Sequence, residues 1–311
     1  MVKRAIEVAC AGGHNILLVG PPGAGKTMMA KCIPGILPPM SLQESLETTK
    51  IHSVAGKMDT SLSLITERPY RSPHHSISAI ALIGGGNKPQ PGEISLAHNG
   101  VLFLDELPEF QRHVLEVLRQ PLEDRTISVS RARYNVNYPA GFMLVASMNP
   151  CPCGYYNDPS KQCVCAPGQV QKYLNKISGP LLDRIDLQVE IMPVPFEKLS
   201  DTQTSESSAT IRERVKQARM RQEERFKQLS NISCNASMSA SELRVHAKPD
   251  KNGMLLLKNA MEKLHLSARA YERILKVSRT IADLDGSDTI QTEHLAEAIQ
   301  YRMFDRAKWG T

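Results

Sequence analysis

The chain has 311 residues, of which 41% are hydrophobic and 23% are charged, and it carries a formal net charge of +6. This composition is that of an ordinary globular protein of one large domain or two smaller ones, and it permits a polyanionic partner without requiring one. No apolar run approaches the roughly 18 residues of a membrane span, and no signal peptide opens the chain. With seven cysteines and no secretory signal, we expect reduced thiols or metal ligands in a cytoplasmic protein that contacts no membrane.

A glycine-rich loop between a predicted strand and a predicted helix is the most informative motif. It matches G-x-x-x-x-G-K-[ST], follows the apolar residues 15–19 and precedes residues 28–32, which can open a helix. Backbone N–H groups of such a loop can surround phosphate oxygens, while Lys26 reaches the β- and γ-phosphates and the Thr27 hydroxyl ligates Mg²⁺. The sequence therefore predicts a nucleoside triphosphate site formed by Gly20, Pro21, Pro22, Gly23, Ala24, Gly25, Lys26, Thr27 and Met28.

Two further strand ends carry polar residues that suit ATP hydrolysis. The apolar residues 101–104 lead into Asp105 and Glu106, of which the first can hold Mg²⁺ and the second can polarise a water. The alternative role for these two acids, an acidic cap for a helix over 112–119, is improbable in a chain that also has the glycine-rich phosphate-binding loop (P-loop) described above. The strand predicted at 142–146 is followed by Asn149, which is placed to hydrogen-bond the attacking water or the γ-phosphate.

The stretch between these motifs, residues 33–100, contains a short helical pattern at 41–49 and then much glycine and proline. Such composition usually marks a functional loop rather than a packed element. We expect His74 and His75 to be solvated or hydrogen-bonded rather than metal ligands, because no cysteine or acidic partner is near in sequence. Lys88, at the glycine-rich tip, is a candidate contact to a phosphate backbone.

A hairpin is predicted over residues 126–138 by alternation of β-favouring side chains. It carries Arg131 and Arg133, with tyrosines interleaved, and this pattern suits either a nucleic-acid contact or a surface hairpin with solvated arginines. After it, four cysteines form two close pairs and could enclose tetrahedral Zn²⁺, although their C-x-C spacing is tighter than usual and unligated thiols are the competing interpretation. They are Cys151, Cys153, Cys163 and Cys165.

These motifs and their order resemble the AAA+ ATPases of the magnesium-chelatase-like family over nearly the whole chain. The similarity is carried by residues 12–15, the P-loop, and residues 71–75, 92–98, 149–154 and 179–186. It implies a RecA-like α/β core with a parallel sheet over residues 1–192, as strands alternating with helices also favour. A linker with a basic helix would follow over 193–231, and an α-helical lid over 232–311.

The same resemblance implies roles for single residues. Lys26 and Thr27 would be Walker A, Asp105 and Glu106 Walker B, and Asn149 sensor 1. Arg184 would be an arginine finger offered to ATP of a neighbouring subunit in a homo-oligomeric, hexameric ring, although by itself it could equally be a structural partner of Asp183 or Asp186. Sensor 2 would be Arg269, with Arg273 the second choice. Residues 51–97 would be a helix-2 insertion and 126–140 a pre-sensor-1 hairpin, both shared with the replicative MCM helicases.

The C-terminal third is predicted to be helical. Residues 211–228 form a polar helix with seven Lys or Arg against three Glu, which is either simply solvated or, by the resemblance, a pre-sensor-2 insertion. A capping box begins at Ser239, apolar stripes at helical spacing follow over 257–264 and 271–281 until Gly286, and a last helix is expected over about 293–306. Family members carry an N-terminal Lon-protease-like domain that this chain lacks, and its abrupt helical start suggests a piece of a longer protein.

Two functions fit these patterns. The first, which the resemblance implies, is an ATP- and Mg²⁺-dependent motor that translocates DNA, as a helicase or in branch migration during DNA uptake and recombination. It is supported by Arg131, Arg133, Lys88, the basic helix and the net charge. The second is a protein-remodelling ATPase similar to the magnesium-chelatase subunit, which acts through a partner protein. Basic loops facing a ring's pore could grip phosphates without reading bases, and this favours DNA.

Overall fold

A parallel sheet of five strands forms the centre of the fold, in the spatial order Tyr70–Arg71, Val101–Leu104, Met143–Met148, Ile16–Val19 and Leu187–Glu190. The computed structural model describes residues 1–58, 63–86, 89–131, 134–156, 158, 161–166, 168–193, 206–229 and 232–302. Two smaller antiparallel pairs, Gly84–Gly85 with Gln90–Pro91 and Thr126–Arg131 with Tyr134–Pro139, complete the strands of these residues. The strands are β1 Ile16–Val19, β2 Tyr70–Arg71, β3 Gly84–Gly85, β4 Gln90–Pro91, β5 Val101–Leu104, β6 Thr126–Arg131, β7 Tyr134–Pro139, β8 Met143–Met148 and β9 Leu187–Glu190.

Helices surround the sheet and make up the C-terminal part. In chain order they are α1 Val2–Gly12, α2 Lys26–Cys32, α3 Leu42–Val54, α4 Ala79–Ile83, α5 Glu93–Leu96, α6 Arg112–Glu116, α7 Arg119–Asp124, α8 Gln169–Leu174, α9 Gly179–Leu182, α10 Ser208–Phe226, α11 Ala240–His246, α12 Lys251–Lys263, α13 Ala268–Leu284 and α14 Thr292–Gln300. This confirms the predicted α/β core with a parallel sheet and a helical C-terminal part. Among the described residues, no helix combines the length and the apolar character needed to cross a membrane.

The strand order brings three strand ends to one edge of the sheet. Strand β8 lies between β5 and β1, with Ala146 paired to both Leu104 and Leu17. Because all three strands are parallel, the residues that follow them emerge at the same edge. These residues are the P-loop after β1, Asp105 and Glu106 after β5, and Asn149 after β8.

The two faces of the sheet are covered by two separate apolar clusters. Ile16 and Leu18 point into a cluster with α1, α10 and α13, whereas Leu17 lies in a second cluster with residues of α6 to α9. Alternate side chains of a strand point to opposite faces, so a short, continuously apolar strand can be buried on both sides. The helices predicted for the lid are therefore continuous with one face of the core.

The charge pattern of the basic helix suggests a helix that is simply solvated, but the structure buries one of its faces. In α10, Ile211, Val215, Ala218 and Phe226 are buried against the first cluster. Several of its arginines also have protein partners: Arg212 donates to the carbonyl of Gly35, Arg214 pairs with Glu7 and Glu206, Arg219 donates to the carbonyl of Cys10, and Arg225 pairs with Asp283. A sparse apolar stripe among arginines is a weak sequence signal, because the long arginine stems can cover apolar surface themselves.

The stretch predicted as a functional loop is partly packed. Tyr70–Arg71 forms an edge strand of the main sheet, and Leu82 of α4 and Ile94 of α5 are buried in the second cluster. Elements of two to five residues are too short to show periodicity, so the sequence pattern could not reveal them. Residues 59–62 and 87–88 of this stretch lie outside the described residues.

The helical predictions for the C-terminal part agree with the structure. Ser239 forms a capping box with Glu242 at the start of α11. In α13, Ile274, Ser278 and Ile281 are buried, and Gly286 follows the helix with a φ of 73°. The last helix, α14, begins one residue earlier than predicted and ends at Gln300, before the expected end at about 306, because the chain turns at residues 301–302.

Candidate nucleotide site

The P-loop lies between β1 and α2, as its sequence predicts. Gly23 and Gly25 have φ values of 78° and 83°, a left-handed conformation that residues with a Cβ avoid. The second of these glycines precedes Lys26, the first residue of α2. Two left-handed glycines let the backbone turn sharply and direct its N–H groups to the inside of the loop, where they can bind phosphate oxygens.

Lys26 is the link between the P-loop and the end of β8. Its ammonium group donates to the carbonyls of Gly20 and Pro21 at 2.7 and 2.9 Å and to Oδ1 of Asn149 at 3.0 Å. Burial lowers the pKa of the Lys26 ammonium, and the negative charges of Asp105 and Glu106 oppose that change. The structure thus places Asn149, the predicted sensor-1 residue, in direct contact with the P-loop lysine.

A set of hard oxygen atoms joins the ends of β5 and β8 to the P-loop. The Thr27 hydroxyl donates to Oδ2 of Asp105 at 2.8 Å, and the Ser147 hydroxyl donates to Oδ1 of the same carboxylate. Hydroxyl and carboxylate oxygens are the ligands that Mg²⁺ prefers, so Thr27 and Asp105 fit the predicted metal. The sequence did not lead us to predict Ser147 as a site residue, although it is a polar residue near the end of a buried strand, two residues before Asn149.

Glu106 adopts a strained backbone and contacts a histidine. Its φ and ψ are 53° and 50°, a left-handed conformation that is uncommon outside glycine and often occurs at functional sites. Its side chain is 59% exposed, and Oε2 lies 3.7 Å from Nδ1 of His75. The pairing of β2 with β5 brings His75 there, so this histidine has an acidic partner that sequence proximity did not reveal.

Arg184 is engaged within its own chain. Its side chain is only 9% exposed, pairs with Glu123 and donates from Nη1 to the carbonyl of Pro180 at 2.8 Å. Its partner is therefore neither Asp183 nor Asp186, the two that its sequence neighbourhood suggested. Arg184 also lines an open cavity of about 570 Å³ together with Glu116, Arg119, Gln120, Glu123, Asp124 and Ser128.

Asp186 is the centre of a buried network between the core and α13. Burial alone would raise the pKa of this carboxyl, but Arg273, His14 and the N–H of Asn15 together hold it well below its usual range. Nη1 of Arg273 lies 2.9 Å from Oδ1 of Asp186, with the arginine side chain 21% exposed. Arg269, one turn earlier, is 56% exposed and lies 3.9 Å from Asp183. Both sensor-2 candidates therefore face the segment that contains Arg184.

The four cysteines predicted as a zinc site come together. Their sulfur atoms all lie within 4.8 Å of one another, and the Sγ of Cys151 is 3.3 Å from that of Cys153 and 3.8 Å from that of Cys163. Cys151 is fully buried and the other three are partly buried. Within the described part of the chain, this is the group of His, Cys, Asp or Glu side chains whose geometry could hold a metal ion.

The predicted hairpin is present, but its basic tip is only partly described. Strands β6 and β7 pair in register from Thr126 with Pro139 to Arg131 with Tyr134. Arg133 and Lys88 lie outside the described residues, and for Arg131 only the backbone is described. The Tyr138 hydroxyl donates to the carbonyl of Pro89 at 2.8 Å, so the β6-β7 hairpin contacts the β3-β4 hairpin.

Comparison with known proteins identifies the family of this chain. The family described as magnesium chelatase, subunit ChlI, matches residues 1–199, and its C-terminal counterpart matches residues 205–302. The chain is 50% identical over 305 residues to the uncharacterized protein YifB of Escherichia coli, and this alignment covers 98% of the chain and 59% of the relative. It is 48% identical to the competence protein ComM of Haemophilus influenzae, with 98% and 58% covered.

A third relative, the uncharacterized protein Rv2897c of Mycobacterium tuberculosis, is 44% identical, and the alignment covers 96% of the chain and 59% of that protein. The chain thus spans somewhat more than half the length of these curated relatives. The family matches cover both the sheet with its strand-end residues and the helical C-terminal part. We conclude that the chain belongs to the magnesium chelatase ChlI family of AAA+ ATPases.

Proposed function

We propose that this chain is the ATPase part of a Mg²⁺-dependent motor that works as a hexameric ring in the cytoplasm and moves along DNA. The observation that carries the ATPase proposal is the convergence of five side chains at three neighbouring strand ends. They are Lys26 and Thr27 of the P-loop, Asp105 and Glu106 after β5, and Asn149 after β8. No single local pattern would produce this convergence.

Each of these residues has a role that its position supports. Lys26 and the N–H groups of the P-loop would bind the phosphates, and Thr27 and Asp105 would hold Mg²⁺, which neutralises charge on the β- and γ-phosphates when bound. Glu106, exposed beside them, would orient the attacking water and accept its proton. Asn149 would keep Lys26 oriented and hydrogen-bond the γ-phosphate or the water. Arg184 would complete the site of the neighbouring subunit, and Arg269 would act as sensor 2 in its own.

Two basic hairpins that contact each other support DNA as the polymer. In the sequence, Lys88 lies between β3 and β4, Arg131 is the last residue of β6, and Arg133 lies between β6 and β7. The hydrogen bond from Tyr138 to Pro89 joins the base of the β6-β7 hairpin to the β3-β4 hairpin. Positive charge on adjacent hairpins can grip phosphates without reading bases. The name of one relative, competence protein, agrees with a role in DNA uptake. The basic helix adds less than its sequence suggested, because several of its arginines have protein partners.

Replacing both Arg131 and Arg133 by alanine is expected to weaken DNA binding and to make the remaining binding less sensitive to salt concentration. Removing one arginine–phosphate interaction should reduce the slope of log K against log salt by about one. We would measure fluorescence anisotropy with single-stranded, duplex and forked DNA over a salt series, together with the ATPase rate. The Arg131→Lys, Arg133→Lys variant is the matched control, since it keeps the charge and should keep most of the slope.

The competing function is a protein-remodelling ATPase that acts through a partner protein. A DNA motor should hydrolyse ATP faster when DNA is added, and its binding should weaken steeply as salt rises. Hydrolysis that does not change with any of the three DNAs, and no binding at low salt by the assembled full-length protein, would favour protein remodelling instead.

We also propose that Cys151, Cys153, Cys163 and Cys165, named here the cysteine cluster, bind one Zn²⁺. In a tetrahedral site with Zn–S bonds of about 2.3 Å, the sulfur atoms are about 3.8 Å apart, close to the separations in the cluster. Protein purified without chelator should contain about one zinc per chain, and its four thiols should react with a thiol reagent only after chelation. Absence of metal together with four freely reactive thiols would contradict this assignment.

A further inference from the structure

We propose that the cysteine cluster, with zinc bound, fixes the loop that carries Asn149 against the P-loop and thereby sets the rate of ATP hydrolysis. This inference rests on the proposed ATPase function and on the zinc assignment, and it adds a regulatory role at the same site. Two structural links connect the cluster to the nucleotide site, one along the chain and one through space.

The first link is covalent. Cys151 follows Asn149 by two residues, and Asn149 accepts a hydrogen bond from Lys26 at 3.0 Å. Two residues of extended chain span at most about 7 Å, so Asn149 cannot move far while Cys151 is held. Cys151 is also fully buried in the second apolar cluster. A metal that fixes the Cys151 sulfur therefore limits the positions that Asn149 can adopt.

The second link is a close approach of the Gly154 backbone to the ring of Pro22. Gly154 directly follows Cys153, has a φ of 87°, and would place a Cβ only 2.4 Å from Cδ of Pro22. Its N–H donates to the carbonyl of Cys151 at 3.0 Å. Only glycine lets the cysteine loop approach the P-loop this closely. The first cysteine pair is thus flanked by sensor 1 on one side and by a P-loop contact on the other.

This segment is held by packing against the second apolar cluster and by short-range hydrogen bonds, not by regular secondary structure. In the described residues between β8 and α8, there is no helix or strand. Hydrogen bonds between neutral thiols are weak, whereas four Zn–S bonds would fix four points of the loop at once. Since a displacement of about 1 Å of a positioning group can lower a rate by up to about 100-fold, loss of zinc should affect turnover more than folding.

The test compares three states of the assembled wild-type protein: as purified, stripped of zinc with a chelator that is then removed, and reloaded with Zn²⁺. All assays contain excess Mg²⁺. We expect the stripped protein to show a kcat at least about tenfold lower, with nearly unchanged circular dichroism and full recovery on adding Zn²⁺. The Cys163→Ser, Cys165→Ser variant should resemble the stripped protein, and Cys32→Ser, at an exposed cysteine outside the cluster, should resemble wild type.

Gly154→Ala separates the contact with Pro22 from metal binding. It keeps all four thiols, so it should contain one zinc per chain, yet it should have lower ATP affinity or kcat because its Cβ displaces the P-loop. A stripped protein that hydrolyses ATP at the wild-type rate, or one that unfolds outright, would overturn the regulatory role while leaving the ATPase assignment intact. Zinc-loaded wild-type protein without any ATPase activity would instead refute the proposed function itself.

Discussion

Replacing Glu106 by glutamine is expected to leave ATP binding nearly unchanged and to lower kcat by about 10²- to 10⁴-fold, the usual contribution of a general base. The reason is that glutamine keeps the size and hydrogen-bonding reach of the side chain but cannot accept a proton from the attacking water. Glu106 is exposed and lies outside the contacts that Thr27 and Asp105 make with each other, so the substitution should not disturb the predicted Mg²⁺ ligands. Steady-state hydrolysis and binding of a fluorescent ATP analogue would measure the two effects.

Lys26→Ala is the informative companion to this variant. It removes the ammonium group that contacts the P-loop carbonyls and Asn149, so it should lose ATP binding together with hydrolysis. A Glu106→Gln protein that loses ATP affinity as severely as Lys26→Ala would show that Glu106 supports binding. The assignment of Glu106 as the base would then be wrong.

If Arg184 acts as an arginine finger, replacing it by alanine is expected to lower kcat by about 10³-fold or more while nucleotide affinity changes little. A loss of turnover could also follow from the loss of a structural ion pair, because Arg184 pairs with Glu123 and is largely buried. Glu123→Ala removes the same ion pair but leaves the arginine. If Arg184 acts on the neighbouring subunit's ATP, only Arg184→Ala should lose turnover. If Arg184 and Glu123 form only a structural pair, the two variants should lose equal thermal stability and should hydrolyse ATP at equal rates.

Mixing two inactive variants tests whether the site is shared between subunits. Arg184→Ala subunits keep an intact P-loop and Glu106, and Glu106→Gln subunits keep Arg184. Where the two kinds of subunit meet, Arg184 of the Glu106→Gln subunit can complete the nucleotide site of the Arg184→Ala subunit. Mixed rings should therefore regain part of the wild-type rate. Mixtures that remain as inactive as either variant alone, although gel filtration shows mixed rings, would argue against a shared site.

The sequence by itself determined the chemical parts of the nucleotide site. A P-loop needs its glycines, lysine and threonine in consecutive positions, and acidic residues that end an apolar run are visible without a fold. The positions of β1, β5 and β8 also followed from local patterns, because strands buried on both faces are short and continuously apolar. The spacing of the four cysteines in the sequence suggested the cysteine cluster, but it could not predict the distances between their sulfur atoms.

The tertiary structure alone decided which of these parts meet. It placed β8 between β5 and β1, so that Asn149 contacts Lys26, and it paired β2 with β5, so that His75 contacts Glu106. It also gave Arg184 the distant partner Glu123 and buried one face of the basic helix. All of these are contacts between residues far apart in the chain. A local pattern records periodicity and turn chemistry, whereas long-range pairing depends on how the apolar faces of the whole chain pack together.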